Sequence, residues 1–576
     1  TSMKRLNILL VALAIAFSVN AQWTDNPAVN TFIANCDSGA GEILISNNIY
    51  PQDTYIQWLY AADNGWSPWI QRLNKDGVPQ WDTEGIHITT PNLATWSPGY
   101  ALAAVEDGVV SMFRTGDAHH WAVKINEDGT FAWGEYGIML FDGEGGGRSE
   151  LLSTYYYNHD NGLWALGTDM DISYLQYINP DGTLRPKITI SDPTKKCTNG
   201  KLIPAENGVF VVYAKQTIQG YSNYIKEIYV AGYNKNGEQI VPETLLFGLQ
   251  TIGASYIHYA IPDQRGGAYV YHFHNAIGGV YNTYVTHFDA TGTPTITNPN
   301  GVAVHTPDYS NYYTNAYATV DLNTNDVIIA YIQKDAYTQS QHRIYVNRIT
   351  ETGEVLLGEG LLVADYTGVS YNNIRVDAID ETSGFVVIYG TGQGRIEAVG
   401  YNIDNEPVWN TTISSTSYDK TISDNTSKYQ WGQDIIAWIN RDTGGLYGQN
   451  IDWAGALGEI TPLPPPPTPC CYAPDNFDGS GVFNETTSSY GAMLTWDAPG
   501  YVCLHYNLYR QLLDDGPTEI IEIDVDQTSY YDEPAPGTYK YQLTAVYEDM
   551  ESEFANTVDG NDYLIIEIPD YLSVPE

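Results

Sequence analysis

The residues of this chain that could do chemistry are carboxylates in a glycine-rich loop, scattered histidines and a great many tyrosines. The stretch FDGEGGGRSE, residues 141–150, brings Asp142, Glu144 and Glu150 together where carboxylate and backbone oxygens could wrap a calcium ion. Its spacing is not that of an EF-hand loop, and a plain connection is the stronger reading, both here and for DNFDGSG at 475–481. His258, His272, His274 and His287 fall close together, with His272 and His274 on one strand face, yet a metal site needs side chains that converge and the spacing does not provide that. His119 and His120 in TGDAHHW, with Tyr221, Tyr224, Tyr281 and Tyr337 in other loops, offer rings that could stack on sugars or grip a peptide. In a chain with 47 Tyr, ordinary loop tyrosines are the competing reading.

Catalytic motifs are absent: the chain has no GxSxG elbow, no HExxH and no phosphate-cradling Gly-Lys loop. A sialidase-type turn, Ser-x-Asp-x-Gly-x-x-Trp, is missed by one residue in NKDGVPQW, where Asp76 stands next to Gly77, and no arginine set suits a sugar carboxylate. The net charge of -43, from 26 Lys+Arg against 69 Asp+Glu, repels phosphate backbones and anionic membrane surfaces, so nucleic acid is not an expected partner. No cofactor is required, with calcium at Asp142 and Glu144 as the one option.

Residues 3–21, MKRLNILLVALAIAFSVNA, combine a basic start, a short apolar run and a small-residue end, the pattern of a cleaved secretory signal. No later run is long and apolar enough to span a membrane, so a monomer secreted or held at the outer cell surface, without membrane insertion, is expected.

The elements that must position these groups follow from a repeat. RLNKDGVPQW ends at Trp81 and KINEDGTFAW at Trp133, each with Gly four positions before Trp, and the turn recurs at Gly77, Gly129, Gly182, Gly237, Gly292, Gly353, Asn405 and Gly455. Gly or Asn suits a tight reversal that needs positive φ. Upstream of it, EDGVVSMF, AENGVFVVY, DQRGGAYVY and ETSGFVVIY pair a second tight turn with a β-branched and aromatic run. Four antiparallel strands per unit of about fifty residues is the signature of a β-propeller blade. The last unit runs into prolines without room for its fourth strand, while QWTDNPAVNTFI near the start has the Trp and length of one. Trp23 to Ile33 is therefore expected to complete the final blade. The fold expected is all-β, with an eight-bladed propeller, seven blades being the alternative, over residues 22–460.

TPLPPPPTP, 461–469, reads as a semi-rigid polyproline spacer. Beyond it, GAMLTWDAP with Trp496, YNLYR, TSYYDEP and PGTYKYQLTAVY resemble a fibronectin type III domain over 470–570, followed by a tail at 571–576. The resemblance implies a β-sandwich whose tyrosine-corner residue is Tyr539. Cys503 could pair with Cys470 or Cys471, the alternative being a vicinal pair that only sits in the linker. Signal, repeats, spacer and sandwich together look like exported proteins of the Bacteroidota, which often end in a type IX secretion sorting domain. The closing LSVPE resembles the lead-in to one.

In a propeller the first-to-second and third-to-fourth strand turns share one end, and here they are short and uniform. The other loops are long and variable, and function is expected there. The reading that follows is a non-catalytic binding or adhesion protein that recognises a glycan or protein. The alternatives are a glycosidase or lyase whose carboxylates come from separate blades, and a structural part of a surface assembly.

Overall fold

The computed structural model describes residues 23–461 and 473–569, apart from 48–51, 63–64, 90–99, 143–148, 156–160, 169–170, 220–222, 253–257, 276–280, 307–310, 336–340, 368–371, 380–381, 393, 424–430, 485, 500–502, 514–515, 526, 548–550 and 558–560. It divides into two units, at Thr461 and Pro462. The expected signal, the spacer beyond Thr461, Glu144, Tyr221, Tyr337, Cys470 and Cys471 lie outside the described residues.

The first unit is built from antiparallel four-stranded sheets, eight of them among the described residues. Seven follow chain order, as in Tyr100–Val105, Gly108–Arg114, His120–Asn126 and Ile138–Phe141. The second strand of a sheet is its most apolar, because it is covered on both faces: Gly384–Gly390 and Gln433–Asn440 are buried throughout. The eighth sheet differs. Its strands Lys420–Ile422, Gln433–Asn440 and Leu446–Asp452 are completed by Thr31–Ala34 from the chain start, with Thr31 opposite Gly448 and Phe32 opposite Tyr447.

Successive sheets share buried cores. Tyr55 and Ile70 of the first meet Val109 and Phe113 of the second, and Phe210 and Phe247 of the fourth meet Ala268 and Phe288 of the fifth. Ile388 and Ile413 of the seventh meet Ile436 and Trp438 of the eighth. The eighth then returns to the first, where Ile435, Ala437 and Leu446 pack on Ile43, Ile45 and Trp58. Among the described residues the cores run in a closed cycle of sheets, in which the last sheet packs on the first.

The repeat turns show why Gly and Trp recur together. Asn74, Asn234, Asp289 and Asp452 each accept two backbone N–H bonds from residues just beyond them, so the turn is capped by an Asx side chain as well as opened by Gly. The Trp after one turn serves the next sheet. Trp81 donates its indole N–H to Glu127 O at 3.0 Å, Trp133 to Pro180 O at 3.4 Å and Trp409 to Trp453 O at 3.3 Å. Trp23 makes the same bond to Lys75 O at 3.1 Å, and so links the chain start to the first sheet.

Gly77, at φ 80°, lies directly under that ring: a Cβ there would stand 2.4 Å from Trp23 Cδ2. Gly77→Ala is expected to cost about 1–3 kcal/mol through backbone strain and displacement of the indole, read as a lower midpoint in denaturant.

The second unit is a sandwich. One sheet holds Asp475–Asn484, Ser489–Asp497 and Ser529–Asp532, and the other holds Thr518–Asp524, His505–Leu512, Gly537–Val546 and Leu564–Ile568 in that spatial order. Trp496 packs edge-on against Tyr506 at 5.3 Å, and Tyr539, Tyr541, Leu543 and Ala545 all face the core. Tyr539 Oη donates to Ala535 O at 2.9 Å, the bond of a tyrosine corner. DNFDGSG, read above as a connection, is part of the edge strand Asp475–Asn484. A register shift between Asp475 and Asp478 absorbs its irregularity, and Phe477 anchors it in the core. Cys503 is buried with a free thiol. No helix among the described residues is long and apolar enough to cross a membrane.

Candidate functional site

At the loop end of the second sheet His119 and His120 part company. His120 opens the strand His120–Asn126 and is fully buried, edge-on to Phe141 at 5.7 Å, with Ser149 Oγ 3.2 Å from its Nδ1. It therefore presents nothing to a ligand, which corrects the sequence expectation: the first strand residue points its side chain inward. His119, one position earlier, faces the loop, with Nδ1 3.1 Å from Asp117 and Nε2 2.9 Å from Asp142. Asp117 also accepts from Thr115 Oγ1 at 2.5 Å. Asp142, the calcium candidate, is thus turned to an imidazole.

Ser149 begins the first strand of the third sheet, and around the cycle the first strands of successive sheets lie side by side. Polar side chains bridge them. Tyr100 Oη meets the Glu42 carboxylate, and Lys201 Nζ meets Glu150 and stands 5.7 Å from the Tyr259 ring centroid. Asn373 Nδ2 donates to Ile422 O at 3.2 Å, and an Arg375 guanidinium nitrogen meets Ser423 Oγ at 3.1 Å. Tyr259 is 40% exposed and stacks on Tyr271 at 5.3 Å. Glu150, Lys201 and Tyr259 thus bring an anion, a cation and an open ring onto neighbouring strands of three sheets.

The fourth sheet adds a second polar group on its long strands Gly208–Gln219, Asn223–Tyr233 and Gln239–Ile252. Lys215 bonds Asp192 at 3.1 Å and Glu243 at 2.6 Å, with its Nζ 4.8 Å from the Tyr229 ring centroid. Burial works against its ammonium, but the bonds to Glu243 and Asp192 outweigh that and raise it to about 12. Lys195 meets Glu227, and Tyr213 Oη meets Glu243. None of these residues stood out in the sequence, because lysines and glutamates distant along the chain carry no local pattern.

At the turn end, four sheets carry a basic side chain five positions before their repeat glycine, each against a carboxylate. Arg72 meets Asp53 at 2.6 Å, Lys124 meets Asp107 at 2.8 Å, His287 meets Asp263 at 2.9 Å and Arg348 meets Asp321 at 2.5 Å. For Asp263, burial raises the carboxyl, but hydrogen bonds from His287 and from the N–H groups of Arg265 and Gly267 outweigh it and hold it below its ordinary value. A depressed carboxyl stabilises the fold above its unfolded value, near about 3.9, and that contribution is lost as pH falls through the folded value. Asp263→Asn should therefore flatten the loss of stability below about pH 4, as followed by denaturant titrations across pH.

Among the other sequence candidates, Tyr224 and Tyr281 lie in the strands Asn223–Tyr233 and Tyr281–Phe288. His272 is buried edge-on to Phe247 at 4.2 Å, whereas His287 serves Asp263, so these two histidines do not share a site; the side chains of His258 and His274 lie outside those described.

No family model and no curated protein matches this chain. Among solved structures it is similar to a polysaccharide lyase, Uly1, at 13% identity over 65% of this chain and 94% of that one, with a TM-score of 0.40. It is also similar to the BP39L lectin of Burkholderia pseudomallei, at 11% identity over 65% and 99% with a TM-score of 0.38. An Fn3-like protein from Clostridium thermocellum is similar at 21% identity over 18% of this chain and 97% of that one, with a TM-score of 0.14. At these values the likenesses assign no activity.

Proposed function

We propose that this chain is a secreted or surface-displayed protein that binds a glycan through the inner strands and loop end of an eight-bladed propeller, with a fibronectin type III-like sandwich as spacer. The cycle of sheets with shared cores supports the blade count, and the basic-apolar-small pattern of residues 3–21 supports export.

The observation that carries the reading is Tyr259: an exposed ring flanked by Lys201, whose ammonium also holds Glu150. A sugar lays its apolar C–H face on such a ring while neighbouring charged groups bond its hydroxyls and fix its orientation. The test is a glycan array on the full chain, with and without calcium, followed by calorimetric titration of the best ligand. Tyr259→Ala is expected to weaken binding at least about tenfold, roughly the 1.4 kcal/mol of one lost stacking contact, with little change in the denaturant midpoint. Full affinity in that variant would remove Tyr259 from the site.

A second reading, glycan cleavage, is favoured by Tyr100 and Glu42, since a phenol bonded to a carboxylate can pass a proton. It predicts turnover of the bound glycan that Tyr100→Phe abolishes while binding persists.

A further inference from the structure

The junction of the fifth and sixth sheets repeats that of the first and second with one change. In the first junction the Arg72 guanidinium lies between Asp53, at 2.6 Å, and Glu127 of the next sheet's repeat turn, at 3.5 Å. In the second, the same two places are held by Asp263 and Glu351, but the residue between them is His287, whose ring is shorter. Both carboxylates are kept while the guanidinium that would span them is replaced by the Asn325 amide, whose Nδ2 meets Glu351 Oε1 and stands 3.5 Å from Asp263 Oδ2. The ligand atoms of Asp263, His287 and Glu351 all lie within 4.8 Å of one another.

The imidazole is already oriented. Thr295 Oγ1 donates its only hydrogen to Glu351 O at 2.5 Å, so it must accept from His287 Nδ1, 2.8 Å away. That assigns a proton to Nδ1 and turns Nε2 toward the carboxylates, as outer partners do for a metal-ligating histidine. The side chains of His287 and Asp263 are 2% and 1% exposed, and that of Glu351 is 26% exposed, which leaves a way in.

We propose that Asp263, His287 and Glu351 bind a divalent cation of the zinc class, which spans the two carboxylates as Arg72 does in the first junction. One imidazole and two carboxylates suit zinc, with water as the fourth ligand. Tetrahedral ligands at zinc distances stand roughly 3.3 Å apart, so the 2.9 Å between His287 Nε2 and Asp263 needs to open by only a few tenths of an ångström. The ion takes the Nε2 lone pair and releases to water the proton that Nε2 shares with Asp263. The Asn325 amide nitrogen gives up its place between the two carboxylates, and Arg265, 63% exposed and 2.9 Å from Glu351, swings outward.

The test is calorimetric titration of the full, chelator-stripped chain with zinc chloride, with calcium chloride as the comparison, alongside thermal melts. One zinc per chain, a raised melting temperature and no response to calcium are expected. His287→Arg restores the chemistry of the first junction, so it should fold as well as the parent while losing at least tenfold in zinc affinity, and Glu351→Gln should weaken zinc without unfolding the chain. Zinc binding unchanged in both variants, or no binding by the parent at millimolar zinc, would overturn the proposal.

Discussion

Trp23→Ala is expected to lower the unfolding free energy of the first unit by about 3–5 kcal/mol, the largest effect of any single truncation near the chain start. The ring is 4% exposed and belongs to the core that joins the eighth sheet to the first. Its indole donates to Lys75 O and its backbone N–H donates to Asp76 O at 3.0 Å, so one residue fastens both sides of the seam. Trp23→Phe keeps most of the packing and loses the indole bond, for about 1 kcal/mol. Combining Trp23→Ala with Gly77→Ala should be less than additive, because the clash at Gly77 is with the ring that has been removed. Denaturant titrations of the four proteins give the coupling. A loss below about 1 kcal/mol for Trp23→Ala would mean that the seam is held without the N-terminal segment.

Arg348→Met is expected to cost about 3–5 kcal/mol for a different reason. Its side chain is 6% exposed, and Asp321 and Asp326, at 2.5 Å and 3.5 Å, are 3% and 10% exposed, so removing the guanidinium leaves two carboxylates in a dry site without their counter-charge. It also reaches Asn405 Oδ1 at 3.2 Å, the residue that stands for Gly in the seventh repeat turn, and so ties the sixth sheet to the seventh. Replacing Asp321 and Asp326 by Asn in the same protein should recover much of the loss, since neutral amides tolerate the missing charge better. The exposed pair Lys75–Asp76, with side chains 49% and 45% exposed, is the control: Lys75→Ala should change stability by no more than about 0.5 kcal/mol. Equal effects at the two sites would show that burial does not govern these pairs.

The parts of this protein legible in its sequence are those written in local chemistry. Positive φ at the repeat turn requires Gly or Asn, and Gly77 at 80° and Asn405 at 62° meet that need. Apolar second strands announce their burial, and Trp23 in QWTDNPAVNTFI marks the segment that ends as Thr31–Ala34 beside Leu446–Asp452. Tyr539 could be placed because its bond reaches only to Ala535.

What the tertiary structure alone decided are the pairings across repeats and the direction of each side chain. Glu150, Lys201 and Tyr259 stand about one repeat apart and meet only because their strands lie side by side. Asp263, His287 and Glu351 meet only where one sheet's turns abut the next. His119 and His120 are neighbours of the same type, and one lies in the loop while the other lies in the core, because a strand turns successive side chains to opposite faces and its register belongs to the whole sheet. A sequence states which residues make a turn or a strand; which of them share a site depends on long-range packing that no local pattern encodes.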